Sequence, residues 1–171
     1  MTRSGIIQFI SFFAYLLLQV MLFKSLTFFN VAFCFIYVGY ILLLPIETNP
    51  LILMLVAFVM GFCVDMFYDS LGLHALTLVI IAYVRNYWLG VITPQGGYDA
   101  NALPNMPSQG LQWYLVYTLP LVFLHHLILF LVEASNMGLF WHSMLKTIAS
   151  LFFTMTFLVL QQYWLPQRER I

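Results

Sequence analysis

Residues 53–84 read LMLVAFVMGFCVDMFYDSLGLHALTLVIIAYV. Two apolar runs flank a short polar joint that holds Asp65, Asp69, Ser70 and His74. A membrane helix needs about 20 predominantly apolar residues, and each run comes close to that length. The joint leaves room only for a tight reversal. The stretch therefore describes a helical hairpin built for a membrane, with polar groups gathered at its turn.

Within the hairpin, Ala57, Gly61 and Asp65 are spaced by four and form one row on the first helix. Small residues in such a row let a second helix approach closely. A charge at membrane depth costs about 2.5–3.5 kcal/mol on insertion scales. Asp65 is thus expected to face protein, held by backbone N–H groups at the start of the next helix or by nearby His74. Gly72 supplies the freedom to turn, and Asp69 or Ser70 is expected to cap the following helix. A structural joint is the leading reading. A proton or ion site at Asp65 and a contact surface for a partner are its rivals.

The rest of the chain agrees with a membrane setting. Of 171 residues, 63% are hydrophobic and 7% charged, where a water-soluble domain carries about a quarter charged residues. A membrane barrel would show short alternating segments instead. The expected class is an all-α polytopic membrane protein forming a single membrane domain, 1–171, with six spans near residues 5–23, 28–44, 50–67, 71–92, 111–132 and 140–165. The first is read as a retained helix because its apolar core is too long for a signal peptide. Pro120 marks a kink in the fifth. Residues 93–110, rich in Pro, Gly and Asn, form the one long loop.

Six basic and six acidic residues cancel, which removes any electrostatic case for nucleic acid. Cys34 and Cys63 lie in apolar runs and read as small buried hydrophobes. Six spans put both termini on one side. Arg3, Arg168, Arg170 and a snorkelling Arg85 would sit there, against Lys24 and Lys146 opposite. That balance puts both termini in the cytoplasm and the Ser70 turn outside. Tyr87 and Trp88 beside Arg85 suit an interfacial belt.

The fifth span carries LHHLILFLVE, residues 124–133. His126 and Glu133 share a face but lie about 10 Å apart along the axis, at 1.5 Å per residue. Adjacent His125 and His126 point in different directions and give no metal-ligand spacing, so neither metal nor cofactor is expected. With Asp65, Asp69, His74 and His142, these residues would make an outward-facing polar cluster. No Ser-His-Asp, P-loop, HExxH or CxxC pattern is present in the sequence, so the expected function is not enzymatic.

Gly61, Asp65, Leu71, Gly72, His74, Ala75 and Leu76 together resemble the Gly-x-x-x-Asp, turn, Leu-Gly-x-His-Ala-Leu element of the rod shape-determining MreD family. PQGGY at 94–98 and LVFLHHLILFLVE at 121–133 are similar to its Bacteroidetes-type members. The resemblance implies a scaffold of the cell-elongation complex in the bacterial cytoplasmic (inner) membrane. It would bind MreC and, through it, work alongside MreB, RodA and a class B penicillin-binding protein in lateral peptidoglycan synthesis. It also implies a bundle like the substrate-binding components of energy-coupling vitamin transporters. The alternative function is therefore a substrate-binding subunit of such a transporter. A proton-coupled carrier would need more intramembrane carboxylates than Asp65 and Glu133. The residues expected to serve structure or partner binding are Gly61, Asp65, Gly72, His74, His126 and Glu133.

Overall fold

The computed structural model describes residues 3–99, 102–135 and 137–164. Arg168 and Arg170, used above for orientation, and Asn136, within the 133–142 loop, lie outside the described residues, as does the end of the span expected to reach 165.

Among the described residues the regular structure is helical apart from one small hairpin. Helix α1, Arg3–Leu18, widens into a π-helical turn at Gln19–Phe23. Strands β1, Thr27–Phe28, and β2, Ala32–Phe33, pair antiparallel. Helix α2, Tyr37–Leu43, is short. Helices α3, Pro50–Tyr68, and α4, Leu73–Val91, form the hairpin read from the sequence. A short α5, Met106–Gln109, precedes α6, Leu111–Ala134, and α7, Phe140–Gln162, completes the bundle. Helix α3 runs along α4, α4 against α6, and α6 against α7.

Among the described residues four helices are long and apolar enough to cross a membrane: Gly5–Phe23, Pro50–Tyr68, Leu111–Ala134 and Phe140–Gln162. Their outward faces are large and apolar, as with Phe9, Ile10 and Phe13 on α1, Leu55 and Phe62 on α3, and Phe152 on α7. No water-soluble surface carries such a covering, and lipid is the solvent it fits. This is an all-α membrane protein.

The largest departure from the sequence reading is at residues 28–44, expected to be one span. They are not one helix. Phe29 and Asn30 both take left-handed backbone, φ 50 and 57, and Val31 N donates to Phe28 O at 3.0 Å, which closes a tight hairpin turn. The chain then runs extended through Cys34 and Phe35 into the seven residues of α2. Lys24 Nζ donates to Phe67 O at one end of the α3–α4 hairpin. Leu44 and Pro45 lie beside Arg85, toward the other. The segment thus traverses the bundle as half extended chain and half helix.

Non-helical backbone inside a bundle needs partners for every N–H and C=O. Ser150 Oγ accepts from Phe33 N at 2.9 Å and Thr154 Oγ1 from Phe35 N at 3.1 Å. Gln19, at the π turn, donates to Cys34 O at 3.1 Å and to Tyr68 OH at 2.8 Å. Side chains of the π turn and of α7 thus replace the hydrogen bonds a helix would supply. On the other flank, a Cβ on Gly39 would lie 2.5 Å from Leu158 Cδ2, so α2 packs hard against α7.

Helix α6 continues through Pro120. Proline removes the N–H that would have met Val116 O, and Trp88 Nε1 donates to that carbonyl at 3.2 Å. The 93–110 loop is pinned at both ends. Tyr98 OH donates to Leu89 O at 3.2 Å, and Asn105 caps α5 by accepting from Ser108 N at 3.0 Å.

Candidate functional site

The polar joint resolves into a single clasp. Asp65 ends its row on α3 directly under the start of α4. Its Oδ1 accepts from His74 N at 3.0 Å and from Ser70 Oγ at 2.5 Å, and its Oδ2 accepts from Ala75 N at 2.9 Å. These are orphan amides of a helix N-terminus, where the dipole favours a negative charge. Neither Asp69 nor Ser70 caps α4. Gly72 holds the N-cap position with no side chain to offer, φ 90, while Asp69 closes α3 in left-handed conformation. The carboxylate is supplied from the neighbouring helix because the turn places α4's first amides over the last turn of α3.

That placement requires close contact. A Cβ on Gly61 would sit 2.4 Å from Ala75 Cα, 2.6 Å from Ala75 N and 2.7 Å from His74 O. All three are backbone atoms, so no rotamer change relieves the clash. Only glycine lets α3 approach α4 near enough for Asp65 to reach both amides.

His74 points its ring into the bundle. Tyr37 OH lies 2.8 Å from His74 Nδ1 and 2.8 Å from His125 Nε2. A hydroxyl has one proton, so one imidazole donates to Tyr37 and the other accepts from it. His125 Nδ1 is buried without a hydrogen bond among the described residues. A bare nitrogen left unpaired is the milder cost, so the arrangement favours a proton on His125 Nε2 donated to Tyr37, with Tyr37 donating to His74. His126 turns the other way. Its Nδ1 donates to Val122 O at 2.7 Å, and its Nε2 faces Thr154 Oγ1 at 3.0 Å. Phe35 packs among the three rings, with centroids 5.5, 6.0 and 5.4 Å from His74, His125 and His126.

The expected outward-facing polar cluster is therefore not formed. His74, His125 and His126 are buried, whereas Asp69, Glu133 and His142 are exposed. Glu133, at the end of α6, joins none of them. His125 and His126 both fall on the side of α6 covered by α4, α7 and the extended segment, whereas Glu133, on the same face as His126, lies in the last turn of α6 and is exposed. Among the described residues no group of three or more His, Cys, Asp or Glu side chains could hold a metal ion.

Arg85 also departs from expectation. It is 0% exposed and does not snorkel. Its Nε donates to Tyr117 OH at 2.7 Å, and its Nη2 to Leu44 O at 2.5 Å and Pro45 O at 3.3 Å. Tyr117 OH passes a bond on to Leu42 O at 2.8 Å. The guanidinium thus braces the carbonyl end of α2, where the helix dipole favours a cation. Nη1 has no hydrogen bond among the described residues. Both cysteines are free.

Several contributors to this interior were missed from the sequence: Gln19, Tyr37, Tyr117, Ser150 and Thr154. One signal was available. Ser143, Thr147, Ser150 and Thr154 recur at four, three and four residues, the period of one helix face, and all four are buried. A polar stripe on an otherwise apolar helix marks the side that meets protein.

Comparison with family models, with curated proteins and with solved structures finds no match to this chain. The class defined by the fold is a multi-helix membrane protein whose polar residues are largely consumed inside the bundle.

Proposed function

We propose that this chain is a non-enzymatic scaffold of the MreD type. It would act in the cell-elongation complex of a bacterial cytoplasmic membrane by binding MreC and so helping to direct lateral peptidoglycan synthesis. The observation that carries the reading is the fate of the motif. The residues on which the resemblance rests come together in one joint: Gly61 against Ala75, Asp65 on the amides of His74 and Ala75, and Gly72 at the turn. Conformationally locked joints suit a protein that presents a fixed surface. In this reading the chain crosses the membrane six times, with the extended segment and α2 as the second crossing and both termini cytoplasmic.

A transporter subunit is the second reading, favoured by one feature. Interrupted helices at membrane depth are where secondary transporters bind substrate, and the 31–36 segment interrupts the second crossing beside Tyr37 and three histidines. Phe35 fills the space between those rings, which weighs against it.

Affinity purification of the tagged full chain from membranes tests the choice. Recovery of a co-expressed MreC-type single-span protein supports the scaffold. Saturable vitamin uptake in vesicles with an energising module, without such recovery, would reverse it.

A further inference from the structure

A groove of about 800 Å³ runs along the membrane face of the α3–α4 hairpin, between Phe58, Phe62 and Met66 on one side and Leu76 and Val79 on the other. Its Ser70 end is lined by Asp65 and Asp69. We propose that this groove seats one transmembrane helix of a partner protein, apolar along its length and carrying lysine or arginine at the level of the Ser70 turn. The proposal rests on the scaffold reading and names the surface and the chemistry it left open.

Three observations converge. The first is charge. Two carboxylates, exposed Asp69 and largely buried Asp65, line the mouth of the groove, and among the described residues no basic residue lines it. Lys24, at the same end, is committed elsewhere: its Nζ donates to Phe67 O and stands 5.5 Å from the Tyr68 ring centroid. Asp65 Oδ2 accepts one bond, from Ala75 N, and a carboxylate oxygen has room for about two. A phospholipid phosphate at that depth would meet like charge, whereas a basic side chain would meet its complement.

The second is shape. The groove's inner edge carries Gly72, while Ala75 is already packed against Gly61, and a small residue at a helix interface lets another backbone come close. Phe58 and Phe62, half exposed and stacked with ring centroids 6.0 Å apart, stand as one wall.

The third is strain. Leu71 holds left-handed backbone, φ 51, with its side chain 103% exposed at the mouth. A non-glycine residue there costs on the order of 1–3 kcal/mol and persists where the surroundings or a function require it. The bundle takes no contact from this leucine, whereas a docked helix would cover it.

The test uses the full chain co-expressed with the single-span partner in native membranes. A photo-crosslinking benzoylphenylalanine replaces Phe62 or Leu76 in the groove, or Phe152 on the distant α7. Asp69→Asn removes charge while keeping a residue that tolerates the left-handed backbone. The expected result is a crosslink to the partner's transmembrane helix from 62 and 76 and none from 152. Asp69→Asn should recover at least threefold less partner at an unchanged melting midpoint. Partner recovered without groove crosslinks, or recovered equally by Asp69→Asn, overturns this inference and leaves the scaffold reading standing. Crosslinks to lipid alone, with no partner recovered, overturn both.

Discussion

Replacing Gly61 with alanine adds one methyl group at the tightest point of the α3–α4 joint. That carbon would start 2.4 Å from Ala75 Cα, and ordinary contact begins near 3.4 Å, so the helices must part by about 1 Å. The Asp65 bonds to His74 N and Ala75 N, now 3.0 and 2.9 Å, would then stretch beyond useful hydrogen-bond length. Overpacking costs about 1–3 kcal/mol, and hydrogen bonds to a charged group contribute about 1.5–3 kcal/mol each. Because separation relieves the clash while losing the bonds, the two costs are alternatives, and the smaller one, about 1–3 kcal/mol, sets the net loss. For a chain of this size each kcal/mol moves the midpoint by about 2–4 °C, so Gly61→Ala should melt about 2–12 °C early. Size-exclusion chromatography of heated, detergent-solubilised protein reads this directly. Two other glycines calibrate the result. Gly72→Ala meets no atom within 4 Å but is strained at φ 90, and should lose about 1 kcal/mol. Gly90→Ala, helical and open, should be neutral or slightly stabilising. If Gly61→Ala melts with Gly90→Ala, the helices are not in contact at Gly61, and the account of how Asp65 reaches its amides is wrong.

Tyr37→Phe removes the hydroxyl between His74 and His125 and should cost about 1–3 kcal/mol for buried nitrogens left unpaired. An unchanged midpoint would show that water takes its place. Arg85→Lys cannot reach Tyr117 and Leu44 O together. It should destabilise by about 1–3 kcal/mol, and a wild-type melt would contradict the bracing role. Thr154→Val keeps the volume but removes the acceptor of Phe35 N and the partner of His126 Nε2. It should speed hydrogen exchange at Phe35 relative to the α3 amides, and unaltered exchange would refute the anchoring of the extended segment. In a background lacking Cys34 and Cys63, Ser70→Cys should label from outside intact cells with an impermeant maleimide and Gly96→Cys should not. The reverse pattern inverts the proposed topology.

The sequence by itself determined that the chain belongs in lipid, where its long apolar helices lie, and where the α3–α4 joint turns. Those are local properties: apolar run length, the four-residue row of Ala57, Gly61 and Asp65, and a glycine at the reversal. It also placed Asp65 against the next helix, because an unpartnered carboxylate at that depth is too costly to leave to lipid. Tertiary structure decided the rest. Residues 28–44 are apolar enough to read as one helix, yet residues 32–35 run extended because Ser150 and Thr154, 117 and 119 residues away from Phe33 and Phe35, supply the backbone bonds. No local pattern encodes a partner that distant. Arg85 looked interfacial from its place in α4, but a guanidinium stays buried where free carbonyls meet it, and the broken second element puts Leu44 and Pro45 there. The histidines followed the same rule: their spacing along α6 was legible, while the packing of α4, α7 and the extended segment around them closed a cluster that the sequence had placed outside.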